Sequence, residues 1–141
     1  MGKINILIAD DHTVFRQGMR KMLESEEDMA VVGEAATGRE ALQQARELMP
    51  DVILMDIKMP DMDGIEATRL LHPELPHIGV IFCTMFQDEG LIRAGLQAGG
   101  RGYLLKDGDT ETTLHAIRAV AQGELQFSPA VAAKAQSYFA N

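Results

Sequence analysis

The chain has 141 residues, 46% of them hydrophobic and 24% charged, which suits one folded α/β domain and leaves too little chain for two full ones. Thirteen basic against twenty-one acidic side chains give a net charge of −8, with no run of Lys or Arg, a balance that argues against a grip on a nucleic-acid backbone or an anionic membrane. The single cysteine, Cys83, excludes an internal disulfide, and no Cys/His set has zinc spacing. No apolar run approaches the ~18 residues of a membrane span, and Met1–Lys3 lead straight into a short apolar stretch without a signal-peptide pattern. A soluble cytoplasmic protein is expected.

In chain order, short strand-type runs alternate with helix-period segments five times. Ile4–Ala9 is almost continuously apolar, as a strand covered on both faces should be. Phe15, Met19, Met22 and Leu23 then recur at the spacing of a helix stripe. Met29–Ala36 reads as a second strand. Thr37-Gly38 opens a second helix with Ala41, Ala45, Leu48 and Met49 on its inner face, and Pro50 ends it. Val52–Met55 is a third strand, and Pro60, Asp61, Asp63 and Gly64 mark a loop before a third helix. Val80–Cys83 forms the core of strand four, and a helix holding Gly90 and Gly95 is expected around Gln87–Gly99. Gly99, Gly100 and Gly102 precede a strand instead of following one, so they end that helix and form no dinucleotide fingerprint. Tyr103–Leu105 is strand five, and Leu114, Ile117 and Ala121 line the last helix of the repeat. Five such units imply a doubly wound parallel sheet of flavodoxin-like (CheY-like) (βα)5 type, strand order 2-1-3-4-5, with its site beyond the carboxyl ends of the strands.

Five polar residues then fall at one rim. Asp10 and Asp11 follow strand one, Asp56 strand three, Thr84 strand four and Lys106 strand five. Each alone is an ordinary strand end. Together, three carboxylates, a hydroxyl and an ammonium are a site. Three aspartates held close together repel, and a hard cation that prefers oxygen ligands relieves them; a partly hydrated Mg²⁺, or Mn²⁺, suits two carboxylates and a carbonyl. The ammonium and hydroxyl suit the equatorial oxygens of a transferring phosphoryl group, and a carboxylate beside the cation is a competent nucleophile. The residue types therefore point to metal-assisted phosphoryl transfer to an aspartate.

The run LMDIKMPDMDG (Leu54–Gly64), the opening ADDH (Ala9–His12) and GYLLKD (Gly102–Asp107) resemble response-regulator receivers. GEAATGREAL (Gly33–Leu42), GIEATRLL (Gly64–Leu71) and AIRAVAQGE (Ala116–Glu124) are similar to the NarL/FixJ subfamily, whose members carry a LuxR-type helix-turn-helix. The likeness covers roughly residues 4–130. It implies Asp56 as phosphoacceptor, Asp11 as direct metal ligand, Asp10 as its partner through water, and Lys58 as donor of a backbone carbonyl to the metal. Thr84 and Lys106 match the pair that contacts the phosphoryl group, and Thr84 with Tyr103 the switch in which the aromatic turns inward. A sensor histidine kinase is the implied donor. Self-catalysed phosphorylation and slow autodephosphorylation, not turnover of a substrate, are the implied chemistry. Homodimerisation on phosphorylation is implied too.

Weighed singly, several of these residues have plainer readings. Asp10-Asp11 serve as helix caps in many proteins, Thr84 and Tyr103 as strand residues, and Lys106 as a solvated cation. Cys83 and the methionines at 19, 22 and 49 read as core, and His12 as a helix-start residue instead of a ligand. A haloacid-dehalogenase-type phosphatase would need a second acid two positions after its nucleophile, where this chain has Lys58. The expected organisation is a receiver over 1–127 and the start of a linker over 128–141. In the linker, Ser128-Pro129 suit an N-cap and first helical position before a short helix at 130–140. DNA contact is then a property of a domain absent from this chain. A stand-alone receiver acting through protein contacts is the alternative.

Overall fold

The computed structural model describes residues 2–139. Six strands form one sheet: β1 (Ile4–Ala9), β2 (Met29–Ala35), β3 (Val52–Met55), β4 (Gly79–Thr84), β5 (Gly102–Leu105) and β6 (Gln126–Phe127). Every pair is parallel, in the order β2-β1-β3-β4-β5-β6. The helices are α1 (Thr13–Glu24), α2 (Gly38–Leu48), α3 (Gly64–Glu74), α4 (Glu89–Gln97), α5 (Thr110–Ala121) and α6 (Pro129–Phe139).

The period of two along each strand splits the core into two layers. Leu7, Ile53, Met55 and Phe82 point to the layer closed by α2, α3, α4 and α6. Ile6, Ile8, Leu54 and Ile81 point to the layer closed by α1 and α5. The expected order of five strands is present, and the continuous apolar runs are the strands buried on both faces. Because β1 sits between β2 and β3, the chain leaves it in opposite directions, and a crevice opens beyond its end.

Local signals hold the helices in place. Thr37 Oγ1 accepts the Glu40 N–H at 3.0 Å, while Glu40 Oε1 accepts the Ala36 N–H at 2.8 Å, so two otherwise orphaned donors at the start of α2 are satisfied. Past α4, the Gly99 N–H reaches Leu96 O and the Gly100 N–H reaches Gly95 O, with Gly99 at φ +112°. That is a glycine C-terminus, as the sequence indicates.

Four readings change. Ala121, read as lining the last helix of the repeat, is exposed at the end of α5. Leu48 and Met49 lie 41% and 45% exposed instead of inside, because α2 ends at Leu48 and Met49 turns to φ 49° as its C-cap, off the stripe. β6 is an added strand: two residues carry no periodicity, and the strand exists only because Gln126 N–H finds Arg101 O at 2.9 Å. Ser128 stands at the start of α6, yet its buried Oγ has no hydrogen-bond partner. Its backbone does the work, donating to Tyr103 O and accepting from the Ala132 N–H. Helix α6 itself is as expected over the described residues, with residues 140 and 141 outside them.

Candidate functional site

The parallel ladder sets the site before any side chain does. Asp10 N–H bonds Ala35 O and Asp56 N–H bonds Ala9 O, both at 2.9 Å, so these two acids continue the ladder side by side past the ends of β1 and β3. Lys106 N–H likewise bonds Thr84 O at 2.9 Å, which ties the end of β5 to the end of β4. The loop after β3 turns back through Gly64, whose N–H reaches Ile57 O at 2.9 Å. A Cβ at Gly64 would collide with the Asp56 carbonyl oxygen, so this turn admits only glycine. Asp63 then caps α3 through Glu66 N–H at 2.8 Å.

Asp10 and Asp56 are 1% and 4% exposed. Two buried carboxylates are costly unless compensated. The Lys106 ammonium lies 2.6 Å from Asp10 Oδ2 and 2.9 Å from Asp56 Oδ2, and it rests 4.6 Å from the centre of the Phe15 ring. Burial alone would lower the Lys106 pKa, but its contacts with Asp10 and Asp56 outweigh that, and the net shift is upward from the usual 10.5. Lysine therefore stays a cation. It donates to Asp56, whereas its approach to Asp10 Oδ2 is charge on charge without hydrogen-bond alignment, and that buried oxygen has no donor. Asp56 Oδ1 accepts the Ile57 N–H at 2.7 Å.

Asp11 is exposed at the mouth. One ligand atom each from Asp10, Asp11, Asp56 and His12 lie within 4.8 Å of one another. Three carboxylates facing one ammonium leave excess negative charge, and this donor set fits a divalent cation. Thr84 is fully buried, and its Oγ1 accepts the Phe86 N–H at 3.4 Å. Lys58 is exposed two residues beyond Asp56, its ammonium 5.5 Å from the Phe86 ring centre. Tyr103 is 0% exposed and donates its hydroxyl to Phe86 O at 2.6 Å, so the ring is packed inside the domain. Cys83 is core, as read from the sequence; burial pushes its thiol up to about 12 and leaves it inert.

The structure thus brings Asp10, Asp11, Asp56 and Lys106 together, with Thr84 at the end of β4, the strand between those that precede Asp56 and Lys106. The sequence reads His12 as a helix-start residue instead of a ligand. It does start α1, as the residue before the first turn, but its Nδ1 also lies 3.0 Å from Asp10 Oδ1 and 3.4 Å from Asp11 Oδ1. The available signal was its position directly after the two acids.

A buried aspartate at a strand end, with an ammonium and further acids at the switch point of a parallel sheet, is an arrangement suited to phosphoryl chemistry. Residues 6–118 match the response regulator receiver domain family. The chain belongs to that family. It is 39% identical over 131 residues to the transcriptional regulatory protein LnrK of Bacillus subtilis, covering 93% of this chain and 60% of that one. It is 41% identical over 131 residues to the response regulator protein VraR of Staphylococcus aureus, covering 93% and 63%. The chain therefore spans about three fifths of the length of these relatives. Among solved structures, a LuxR-family two-component response regulator from Aurantimonas superposes with a TM-score of 0.91 at 32% identity, covering 99% of this chain and 100% of that one. The receiver domain of a NarL regulator from Mycobacterium tuberculosis gives 0.84 at 33% identity, covering 88% and 100%. The subfamily resemblance and the receiver fold are both as the sequence reading expects.

Proposed function

We propose that Asp56 is the phosphoacceptor of this receiver and that a sensor histidine kinase supplies the group. In the transfer, an Asp56 carboxylate oxygen bonds to phosphorus while the bond from phosphorus to the donor's imidazole nitrogen breaks. The imidazole leaves with that electron pair and takes up a proton. The observation that carries the reading is the convergence of Asp10, Asp11, Asp56 and the Lys106 ammonium at one rim.

Asp10, Asp11 and Asp56, with the backbone carbonyl of Lys58, would hold Mg²⁺ or Mn²⁺. When bound, the ion supplies charge neutralisation for the phosphoryl oxygens. Lys106 orients the Asp56 carboxylate and is placed to pair with a phosphoryl oxygen as the charge there grows to about −2. Thr84 is the hydroxyl partner, and Tyr103, bound to Phe86 just beyond it, reports its position. The phosphorylated chain shifts a two-state equilibrium at the face made by α4, β5 and α5. This is signalling chemistry, with self-catalysed acceptance and slow loss of the group.

By likeness to its transcriptional-regulator relatives, the receiver over 1–127 controls a LuxR-type DNA-binding domain through an extension that begins at 128–141, with homodimerisation on phosphorylation. Cytoplasmic location follows from that role. Mass spectrometry of the chain treated with acetyl phosphate and Mg²⁺ tests the chemistry. One phosphoryl increment is expected in the parent, none in Asp56→Asn, and none in chelator. Equal labelling of Asp56→Asn would overturn the assignment.

A further inference from the structure

Resting on the proposed cation site, we infer that His12 is a nitrogen ligand to that cation, so that the site, with one imidazole added to its oxygen ligands, takes borderline transition ions such as Co²⁺. The placement is specific. His12 is held by its backbone: its N–H donates to Asp10 Oδ1 at 2.8 Å, and its carbonyl accepts the Arg16 N–H at 3.0 Å as α1 begins. With the backbone so fixed at φ −91° and ψ 104°, the ring lies over the acids with 65% of the side chain still in solvent.

The ring nitrogen that faces inward has conflicting neighbours. Nδ1 lies 3.0 Å from Asp10 Oδ1 and 3.4 Å from Asp11 Oδ1, which can only accept a proton. It also lies 3.3 Å from the Lys106 ammonium, which can only donate one. A bare Nδ1 sets its lone pair against two carboxylates; a protonated Nδ1 sets its N–H against an ammonium. Neither tautomer satisfies all three contacts. A divalent cation among the four ligand atoms turns every lone pair in the group into a donor to one charge, and it lets Lys106 withdraw wholly to Asp56. The side chain makes no capping hydrogen bond at the start of α1, so helix formation does not account for the ring's placement.

The ligand types decide which ions gain. Mg²⁺ is hard, keeps several waters and has little use for an imidazole. Imidazole suits later first-row ions, and affinity for them rises along Mn²⁺, Fe²⁺ and Co²⁺. His12 should therefore change the choice among cations while leaving the Mg²⁺ site nearly untouched.

The test uses the whole chain with each metal ion alone. Proton NMR of the Co²⁺-loaded chain should show a shifted, exchangeable imidazole N–H resonance. That signal should be absent from His12→Ala and kept in variants of His72, His77 and His115. Calorimetry should give a Co²⁺ affinity weaker by roughly tenfold in His12→Ala, a smaller loss for Mn²⁺, and Mg²⁺ affinity altered less than about twofold. His12→Asn, which retains a good helix-start residue, should behave like His12→Ala. Mg²⁺ binding without the histidine resonance, or equal weakening for all three ions, overturns the inference and leaves the cation site standing. No Mg²⁺ heat in the parent overturns the cation site itself.

Discussion

At the scale of single residues the centre of the site is a competition for one position. Lys106 lies where it neutralises both Asp10 and Asp56, and a cation bound by the same acids would displace part of that role. Removing one partner of a buried ionic group leaves the others uncompensated, typically at a cost of about 3–5 kcal/mol. Lys106→Ala is therefore expected to be destabilised by roughly that amount in chelator, since its side chain and both carboxylate partners are buried. Saturating Mg²⁺ should return part of the loss, and the gain from Mg²⁺ should exceed that of the parent, because no ammonium competes. Urea unfolding with and without Mg²⁺ measures both. An identical Mg²⁺ shift in the two proteins would mean that Lys106 and the ion do not share the acids. The residues of this competition were readable from the sequence, since parallel strands force every strand end to one rim and Asp10, Asp56, Thr84 and Lys106 each end a run. His12 was not readable in the same way. Its ring direction depends on the backbone hydrogen bond to Asp10, which no spacing reveals.

Among the elements, α4 is the weakest by composition, and its two glycines have different causes. Gly95 is buried against Phe82, and a Cβ there would lie 2.8 Å from that ring, so packing requires it. Gly90 has open space around it, so nothing in the structure demands a glycine. Gly90→Ala should then strengthen the helix by about 0.5–1 kcal/mol, seen as up to roughly fivefold slower amide exchange within α4. Unchanged exchange would show that the first turn of α4 is held by the loop before it and not by helix propensity. The first five strands were legible as short apolar runs, and α1, α2 and α5 as apolar stripes at helix spacing. The pair Gln126–Phe127 is too short for any period and pairs only because β5 offers a free edge. Exposure of Met49 was equally hidden, since the left-handed turn that throws it outward is a backbone choice rather than a pattern.

Across the whole molecule, two sets of contacts link the rim to the periphery. On one side, Tyr103 holds Phe86 O from within while Lys134 of α6 donates to Gln87 O at 3.0 Å, so the loop after Thr84 is gripped from the sheet and from the last helix. Val131 and Ala135 bury α6 in the same core layer as Tyr103 and Ile92 of α4, so α6 is packed onto the domain. On the other side, Glu34 at the end of β2 binds Arg16 at 3.1 Å and Arg20 at 2.6 Å, and Arg16 also donates to the Asp10 carbonyl oxygen. The Arg20 hydrogen bond is the main cause that holds the Glu34 carboxyl below its ordinary 4.5; burial opposes it, and the Arg16 hydrogen bond adds to the lowering. A carboxylate whose folded pKa is depressed contributes stability above its unfolded value and loses it as pH falls through the folded one. Glu34→Gln should therefore cost about 1 kcal/mol at neutral pH, a modest figure because the arginines are partly solvated. That difference from the parent should hold down to about the ordinary 4.5 and shrink below it, vanishing once Glu34 is protonated in the folded chain as well. Urea midpoints of the two proteins across that range give the difference directly. A gap that persists after full protonation would mean that the loss comes from the altered hydrogen bonding of the amide and not from the lost charge, and the arm from the sheet edge through Arg16 to Asp10 would then not be electrostatic.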